Sequence, residues 1–425
     1  MQSLDKIKLG IVGMGYVGLP LATEFGKIRD VIGFDIDEER ISSLKDHKDE
    51  TLEISSEDFL KAKGLKFTQK IEDISKCNFY IVCVPTPIKS NKKPDLDPIL
   101  NATKLISKVL KKGDTIVYES TVFPGVVEDY CRPIIEDISN LKFNNDFFLG
   151  YSPERINPGD KKNTIRSIIK ITSGSNEATS ELVDLLYKTI IPVGTFKASS
   201  IKVAEAAKVI ENIQRDVNIA LINELSIIFN KLDIDTEEVL EAAETKWNFI
   251  PFRPGLVGGH CIGVDPYYLS YKSEEIGYIP KIINTGRKMN DDMAQYVCSL
   301  VLHGMNEKNI DINDSRLLIM GYTFKENCPD IRNTQIKNLA QILSESNINV
   351  DIYDPWISKK IINENPKIHF IETPKKGIYD ALIIAVAHHQ FISMKPKHFL
   401  AYCKPDNVVA DLKHVISKEY SDIRL

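Results

Sequence analysis

No stretch of the chain approaches the ~20 consecutive apolar residues that a membrane-spanning helix needs; the most apolar short run, Ala381 to Ala387, has the length of a buried strand. No apolar leader precedes the first strand pattern either, because Met1-Gln2-Ser3-Leu4-Asp5-Lys6 is polar and lacks a small-residue cleavage site. A cytoplasmic location, with no membrane partner, is therefore expected. A basic surplus is absent: 54 Lys plus Arg against 59 Asp plus Glu leave a formal charge of -5, which argues against nucleic acid as a partner. There is no CxxC pair, and the seven cysteines at 77, 83, 131, 261, 298, 328 and 403 leave one over in any full disulfide scheme. Reduced thiols and no metal site are expected. Low-complexity tracts and short-period repeats are absent as well.

What remains is an ordinary globular composition, 43% hydrophobic and 27% charged, in 425 residues, more than one core usually organises. Ile7 to Val12 reads as a strand, Leu19 to Ile28 as a helix and Val31 to Phe34 as a second strand. Further strands are expected at Phe79 to Val84, Thr115 to Tyr118 and Phe147 to Tyr151, so residues 1–200 read as a doubly wound parallel sheet. From Ile201, Val203, Ala207, Ile210, Val217, Leu221, Ile228 and Leu232 recur at helical spacing, predicting one helix of ~30 residues, about 45 Å long. Such a helix commonly crosses between domains or packs on a second subunit, so a homodimer is expected. Arg316 to Gly321, Thr334 to Glu345, Val350 to Tyr353 and Ala381 to Val386 restore strand, helix, strand and strand. The expected organisation is 1–200, 201–306 and 307–425: two Rossmann-like α/β sheets joined by a long central helix.

Gly13-Met14-Gly15-Tyr16-Val17-Gly18 follows a strand, opens a helix, and is answered by Asp35 at the end of the next strand. Gly13 permits the turn, Gly15 lets the backbone approach a pyrophosphate, and Gly18 allows close packing of helix on strand. A carboxylate at Asp35 accepts ribose hydroxyls and repels a 2'-phosphate, so NAD is expected over NADP. Val84-Pro85-Thr86-Pro87 ends another strand, with Thr86 placed to face the cofactor; the same pattern also suits an ordinary loop. Glu119-Ser120-Thr121 and Pro153-Glu154-Arg155 end neighbouring strands, where a hydroxyl and a carboxylate could hold one water. Lys208 and Asn212, four apart on the long helix, share a face that serves either a developing oxyanion or solvent.

The most informative segment runs from Pro254 to Pro266, where Gly255, Gly258, Gly259 and Gly263 crowd Cys261, with His260 before it and Asp265 four after. Glycine before a nucleophile lets substrate approach and leaves N–H groups for an oxyanion. A small buried cysteine in a glycine turn is the alternative; zinc lacks further ligands at its usual spacing. After the first strand of the second sheet, Gly321 to Arg332 carries Phe324, Lys325 and Arg332, a loop suited to phosphates and a flat base, although the same residues alone more often make a charged surface loop.

In this order the motifs resemble the UDP-glucose/GDP-mannose dehydrogenase family over nearly the whole chain. Phe252-Arg253-Pro254-Gly255, Gly258 to Leu269 and Phe324 to Asp330 resemble most the branch that oxidises UDP-N-acetylglucosamine or UDP-N-acetylgalactosamine for capsule and O-antigen synthesis. The resemblance implies a four-electron oxidation of the sugar C6 alcohol to a carboxylate with two NAD and no metal. It assigns Cys261 as nucleophile, Lys208 and Asn212 as oxyanion stabilisers, Asp265 as a partner near the cysteine and water, and Thr121 with Glu154 as holders of that water. Gly13, Gly15, Tyr16, Val17, Gly18, Asp35, Arg40, Pro85, Thr86, Ser120, Thr121 and Arg332 form the expected cofactor set. Glu154, Arg155, Lys208, Asn212, Arg253, Gly255, Gly258, Gly259, His260, Phe324 and Lys325 form the expected substrate set. His260, where the UDP-glucose branch has a small residue, and Lys413-His414 near Asp411, where it has arginine, point away from glucose. UDP-N-acetylmannosamine, GDP-mannose and UDP-glucose are the alternative substrates. A two-electron β-hydroxyacid dehydrogenase, which needs no cysteine, and a non-catalytic NAD-binding protein are the other classes.

Overall fold

The computed structural model describes residues 4–154, 164–259, 261–357 and 365–425. The chain divides into two compact units, Met1–Glu211 with Tyr267–Ile279, and Asn212–Pro266 with Pro280–Leu425.

The first unit is built on eight strands: β1 (Leu9–Val12), β2 (Val31–Phe34), β3 (Leu65–Thr68), β4 (Phe79–Val82), β5 (Thr115–Tyr118), β6 (Phe148–Tyr151), β7 (Lys170–Gly174) and β8 (Thr195–Lys197). Their order is β3-β2-β1-β4-β5-β6-β7-β8. β1, β4 and β5 are buried along their whole length, as a sheet covered on both faces requires, and that is why they read as unbroken apolar runs. The order reverses between β1 and β4, which opens a crevice at the carboxyl ends of these strands. The sheet is parallel except that β7 runs antiparallel to β6.

The second unit repeats the scheme with β9 (Arg316–Met320), β10 (Asn349–Tyr353), β11 (Ile368–Phe370), β12 (Tyr379–Ile384), β13 (Cys403–Asp411) and β14 (Ile423–Arg424), all parallel, in the order β11-β10-β9-β12-β13-β14. Strand β12 starts earlier than expected. Tyr379 and Asp380 are buried, Tyr379 donating to Asp351 at 2.9 Å while Asp380 accepts from the Arg316 N–H at 3.0 Å and from Lys404, so polar residues join the ladder once paired. Similarly, the first helix closes at Gly26 rather than Ile28, because the Ile28 N–H turns back three residues to the Phe25 carbonyl.

The long helix spans Ile201–Lys231. Val203, Ile210, Leu221 and Ile228, four of the residues whose spacing predicts it, are its exposed ones, and Leu232 just beyond its end is exposed too. At 100° per residue these five lie within about 40° of one another. The buried positions are Ile201, Ala204, Glu205, Lys208, Val209, Asn212, Ile213, Asp216, Ala220, Ile222, Asn223 and Ser226, half of them polar.

Candidate active site

At the β1 carboxyl end, Gly13 takes φ +95°, and a Cβ there would stand 2.8 Å from the Cys83 carbonyl oxygen. A Cβ on Gly18 would meet the Gly13 oxygen at 1.8 Å, whereas one on Gly15 would meet nothing within 4 Å. The turn is thus closed on its inner side and open above Gly15, at the N-terminus of the helix Gly18–Gly26, where an anionic pyrophosphate is favoured. Asp35, half-buried, accepts from the Met14 N–H at 2.7 Å and the Asp37 N–H at 3.0 Å. Arg40 donates through Nε to the Met14 carbonyl at 2.9 Å and pairs with Asp49 at 2.9 Å, and its buried Nη1 has no hydrogen-bond acceptor among the described residues. These residues fit a dinucleotide: the open turn at Gly15 would hold the pyrophosphate and Asp35 the ribose. Tyr16 and Val17 are half-buried in the same turn. Beside it, Ser120 donates to the Val84 carbonyl at 2.7 Å, bracing the segment that carries exposed Pro85 and half-buried Thr86; Thr121 is half-buried.

Glu154 is buried just beyond β6 and takes a hydrogen bond from Lys170 at 2.6 Å. Lys170 also reaches Glu119, at 2.7 Å, and Glu119 accepts from the Tyr187 hydroxyl. Sequence reasoning singled out neither Lys170 nor Tyr187. The available signal was a lysine opening an apolar-flanked strand downstream of two strand-end carboxylates.

Lys208 and Asn212 are both buried, one turn apart on the long helix. Asn212 Nδ2 donates to Asp265 Oδ2 at 2.5 Å, so the helix amide and the carboxylate four residues after Cys261 form one buried pair. The Cys261 carbonyl accepts from the N–H groups of Val264 and Asp265, at 3.0 and 2.9 Å, folding the segment into a turn that leaves the thiol half-buried. Gly259, at φ +86°, lies against the Phe324 ring, which a Cβ would approach to 2.7 Å, and a Cβ on Gly258 would meet the Asn333 oxygen at 2.7 Å. These two glycines therefore dock the cysteine turn on the loop after β9. Upstream, Gly255 is gripped at both ends of its own backbone: its N–H donates to Asn223 Oδ1 at 2.8 Å and its carbonyl accepts from Asn223 Nδ2 at 3.1 Å. Asn223 donates on to Asn290, and Asn290 to Asp216, which Arg287 also engages. This buried polar chain was not foreseen.

The loop after β9 is pinned by Asp354 at the end of β10. Its Oδ2 accepts from the N–H groups of Tyr322 at 2.6 Å and Thr323 at 2.9 Å and faces His388 Nε2 at 3.1 Å, while Oδ1 accepts from the Trp356 N–H at 2.8 Å. His388 Nδ1 accepts from the Asn327 N–H at 3.0 Å, which puts the ring proton on Nε2. Burial alone would raise the Asp354 carboxyl; His388 and the two N–H groups hold it below the usual range. Lys325 lies over the Phe324 ring and lines, with Phe324, Gly258, Gln335 and Lys413, a small pocket at the carboxyl ends of β9 and β12. Two lysines there suit a diphosphate. Arg332 is held by Asp330, and Arg253 by Glu237 at 2.8 Å and by Glu244 of the same chain. Arg155 and His260 lie outside the described residues. No cluster of metal-ligating side chains occurs among the described residues.

Three family models match the chain in succession: the NAD binding domain of the UDP-glucose/GDP-mannose dehydrogenase family over residues 7–191, its central domain over 202–292 and its UDP binding domain over 318–418. A UDP-N-acetyl-D-glucosamine 6-dehydrogenase of Pseudomonas aeruginosa is 55% identical over 422 residues, covering 99% of this chain and 100% of that protein. One of Salmonella typhi is 54% identical over 425 residues, covering 100% of both. Among solved structures, a UDP-D-ManNAc dehydrogenase from Pyrococcus horikoshii superposes with a TM-score of 0.86 at 27% identity, covering 97% of this chain and 96% of that one.

Proposed function

The chain belongs to the UDP-glucose/GDP-mannose dehydrogenase family, and from that premise we propose that it oxidises the C6 alcohol of UDP-N-acetylglucosamine to the uronate. The balanced reaction is one primary alcohol, two NAD and one water giving one carboxylate, two NADH and three protons. NAD, when bound in the glycine turn, supplies the hydride acceptor for both oxidations. The substrate follows the activity for which the two relatives above are named, with the N-acetylgalactosamine epimer as the nearest alternative.

In this reading the UDP group rests on the Lys325 and Phe324 loop, and the sugar reaches Cys261. The first oxidation makes the C6 aldehyde, its hydroxyl proton passing to a water held by Thr121 and Glu154. An aldehyde has no hydroxyl through which a second hydride can leave, and addition of the Cys261 thiolate creates one, as a thiohemiacetal. Loss of hydride gives a thioester, which water hydrolyses with Glu154 taking the proton. Lys208 and Asn212 hold the oxygen on which charge develops, and Asp265 holds Asn212 through its amide. Arg155 and His260 stay in the proposed substrate set, and Arg253 joins it only by exchanging its carboxylate partners. The observation that carries this reading is a half-buried thiol on a glycine turn locked beside the buried Asn212–Asp265 pair. A two-electron dehydrogenase has no use for that arrangement.

The test is stoichiometry and a panel. Two NADH per sugar are expected, with the highest kcat/KM on UDP-N-acetylglucosamine among the five sugars named above. Cys261→Ser is expected to lose net turnover; one NADH per sugar, or near-normal turnover of that variant, refutes the four-electron mechanism.

We also propose a homodimer in the cytoplasm. The exposed stripe of Val203, Ile210, Leu221, Ile228 and Leu232 supports the first, its five apolar side chains sharing one face from one end of the helix to the other. Reliance on NAD and a nucleotide sugar, both cytoplasmic metabolites, supports the second. The parts 1–200, 201–306 and 307–425 would serve cofactor, cysteine turn with dimer contact, and UDP-sugar.

A further inference from the structure

The reversal of β7 has a chemical result. β6 and β7 pair Gly150 with Gly174 and Tyr151 with Ser173, and continuing this antiparallel register by three residues sets Lys170 opposite Glu154. A parallel strand would have delivered its first residue to the other edge of the sheet. Instead Lys170 lies at the carboxyl edge, its side chain 3% exposed, between Glu119 at 2.7 Å and Glu154 at 2.6 Å.

Among the described residues one buried cation thus stands between two buried carboxylates. Burial pushes Glu119 up to about 7, Lys170 pulling it down and Glu154 pushing it further up. Lys170 stays charged, because the two carboxylates outweigh the burial that opposes its charge. The other titratable groups facing the cluster among the described residues are Tyr187, which donates to Glu119, and the buried Cys83 thiol, which burial raises well above its ordinary range.

We propose that Lys170 and Glu119 are positioning residues that fix the Glu154 carboxylate at the cofactor edge and set the pH at which it takes up a proton. The inference rests on the reading of Glu154 as the proton acceptor above. Lys170 and Glu119 act on the Glu154 carboxylate with opposite signs, the cation favouring its charged form and the neighbouring carboxylate opposing it.

The experiment is the pH dependence of kcat/KM for UDP-N-acetylglucosamine oxidation by the full chain and four variants. Lys170→Met leaves two carboxylates without their cation, so the acid limb is expected to move up by about one pH unit or more, with a roughly tenfold loss on that limb. Lys170→Arg restores the charge and is expected to restore the limb. Glu119→Gln removes the competing anion and is expected to move the limb down. Shifts of opposite sign are something a merely structural role does not produce. Should Lys170→Met fail to fold, the downward shift of Glu119→Gln against an unmoved Lys170→Arg remains decisive. Unshifted limbs, or limbs displaced the same way, overturn the proposal. Glu154→Gln separates the two levels: full turnover there removes the reading of Glu154, while an inactive Glu154→Gln beside unshifted Lys170 and Glu119 variants leaves that reading standing and removes this one.

Discussion

Asn223→Ala isolates what holds the cysteine turn. The wild-type carboxamide, fully buried, makes three hydrogen bonds: it accepts from the Gly255 N–H and donates to the Gly255 carbonyl and to Asn290 Oδ1. Alanine strands all three partners in a buried site. At about 1 kcal/mol for each stranded group, the lower end of the usual range, the cost is about 3 kcal/mol, equivalent to a factor of roughly 100 in a local opening equilibrium. Hydrogen exchange of the peptide covering residues 252–259 is therefore expected to accelerate by about two orders of magnitude in the variant, with kcat/KM falling as the turn spends more time displaced. An exchange rate for the Gly255 amide within about twofold of wild type would show that the clamp carries none of the turn's stability, and the argument from stranded groups would fail.

Gly15 and Gly18 should part company. Gly15→Ala is expected to leave the melting temperature unchanged and weaken NAD binding at least tenfold or so by titration, since its methyl enters the space for pyrophosphate, whereas Gly18→Ala is expected to be severely destabilised by contact with the Gly13 oxygen. Glu205 accepts from the Gly125 and Val127 N–H groups, but burial pushes its carboxyl up to about 8. The folded chain then keeps a proton that the unfolded chain releases near 4.5, so denaturant stability is expected to fall as pH rises from about 5 to about 8, and Glu205→Gln to flatten that component of the slope. Leu221→Glu is expected to give a monomer by light scattering; an unchanged mass would place any dimer contact elsewhere.

The glycine turn after β1 and the cysteine turn were legible because each demands backbone geometry or close approach that few residues besides glycine meet. β1, β4 and β5 were legible because burial on both faces leaves an unbroken apolar run, whereas β7 and β13, internal too but carrying polar residues, went unread. β3, β8, β11 and β14 were not legible either, being short edge strands whose residues are only partly buried. The direction of β7 leaves no local trace, since the same residues serve a parallel or an antiparallel neighbour, and the register that brings Lys170 to Glu154 was hidden with it. On the long helix, periodic apolar residues marked the helix correctly but marked its outer face. The inner face carries polar residues because Asn212, Asp216 and Asn223 find partners 32 to 74 positions away, which spacing along one helix cannot reveal.

Asp35 and Asp354 occupy the same station, at the end of the second strand of their sheets, yet their spare capacity differs. A carboxylate offers about four lone-pair directions. Asp354 takes three backbone N–H groups and His388, three of these four crowded on Oδ2, whereas among the described residues Asp35 meets two backbone N–H groups, one on each oxygen, and keeps room for a pair of sugar hydroxyls. The station in the first sheet is thus the more open of the two to a ribose. On the proposed four-electron reading, the glycine-turn berth is emptied and refilled while the half-oxidised sugar waits, and a covalent tether at Cys261 would stop that sugar from drifting away during the exchange.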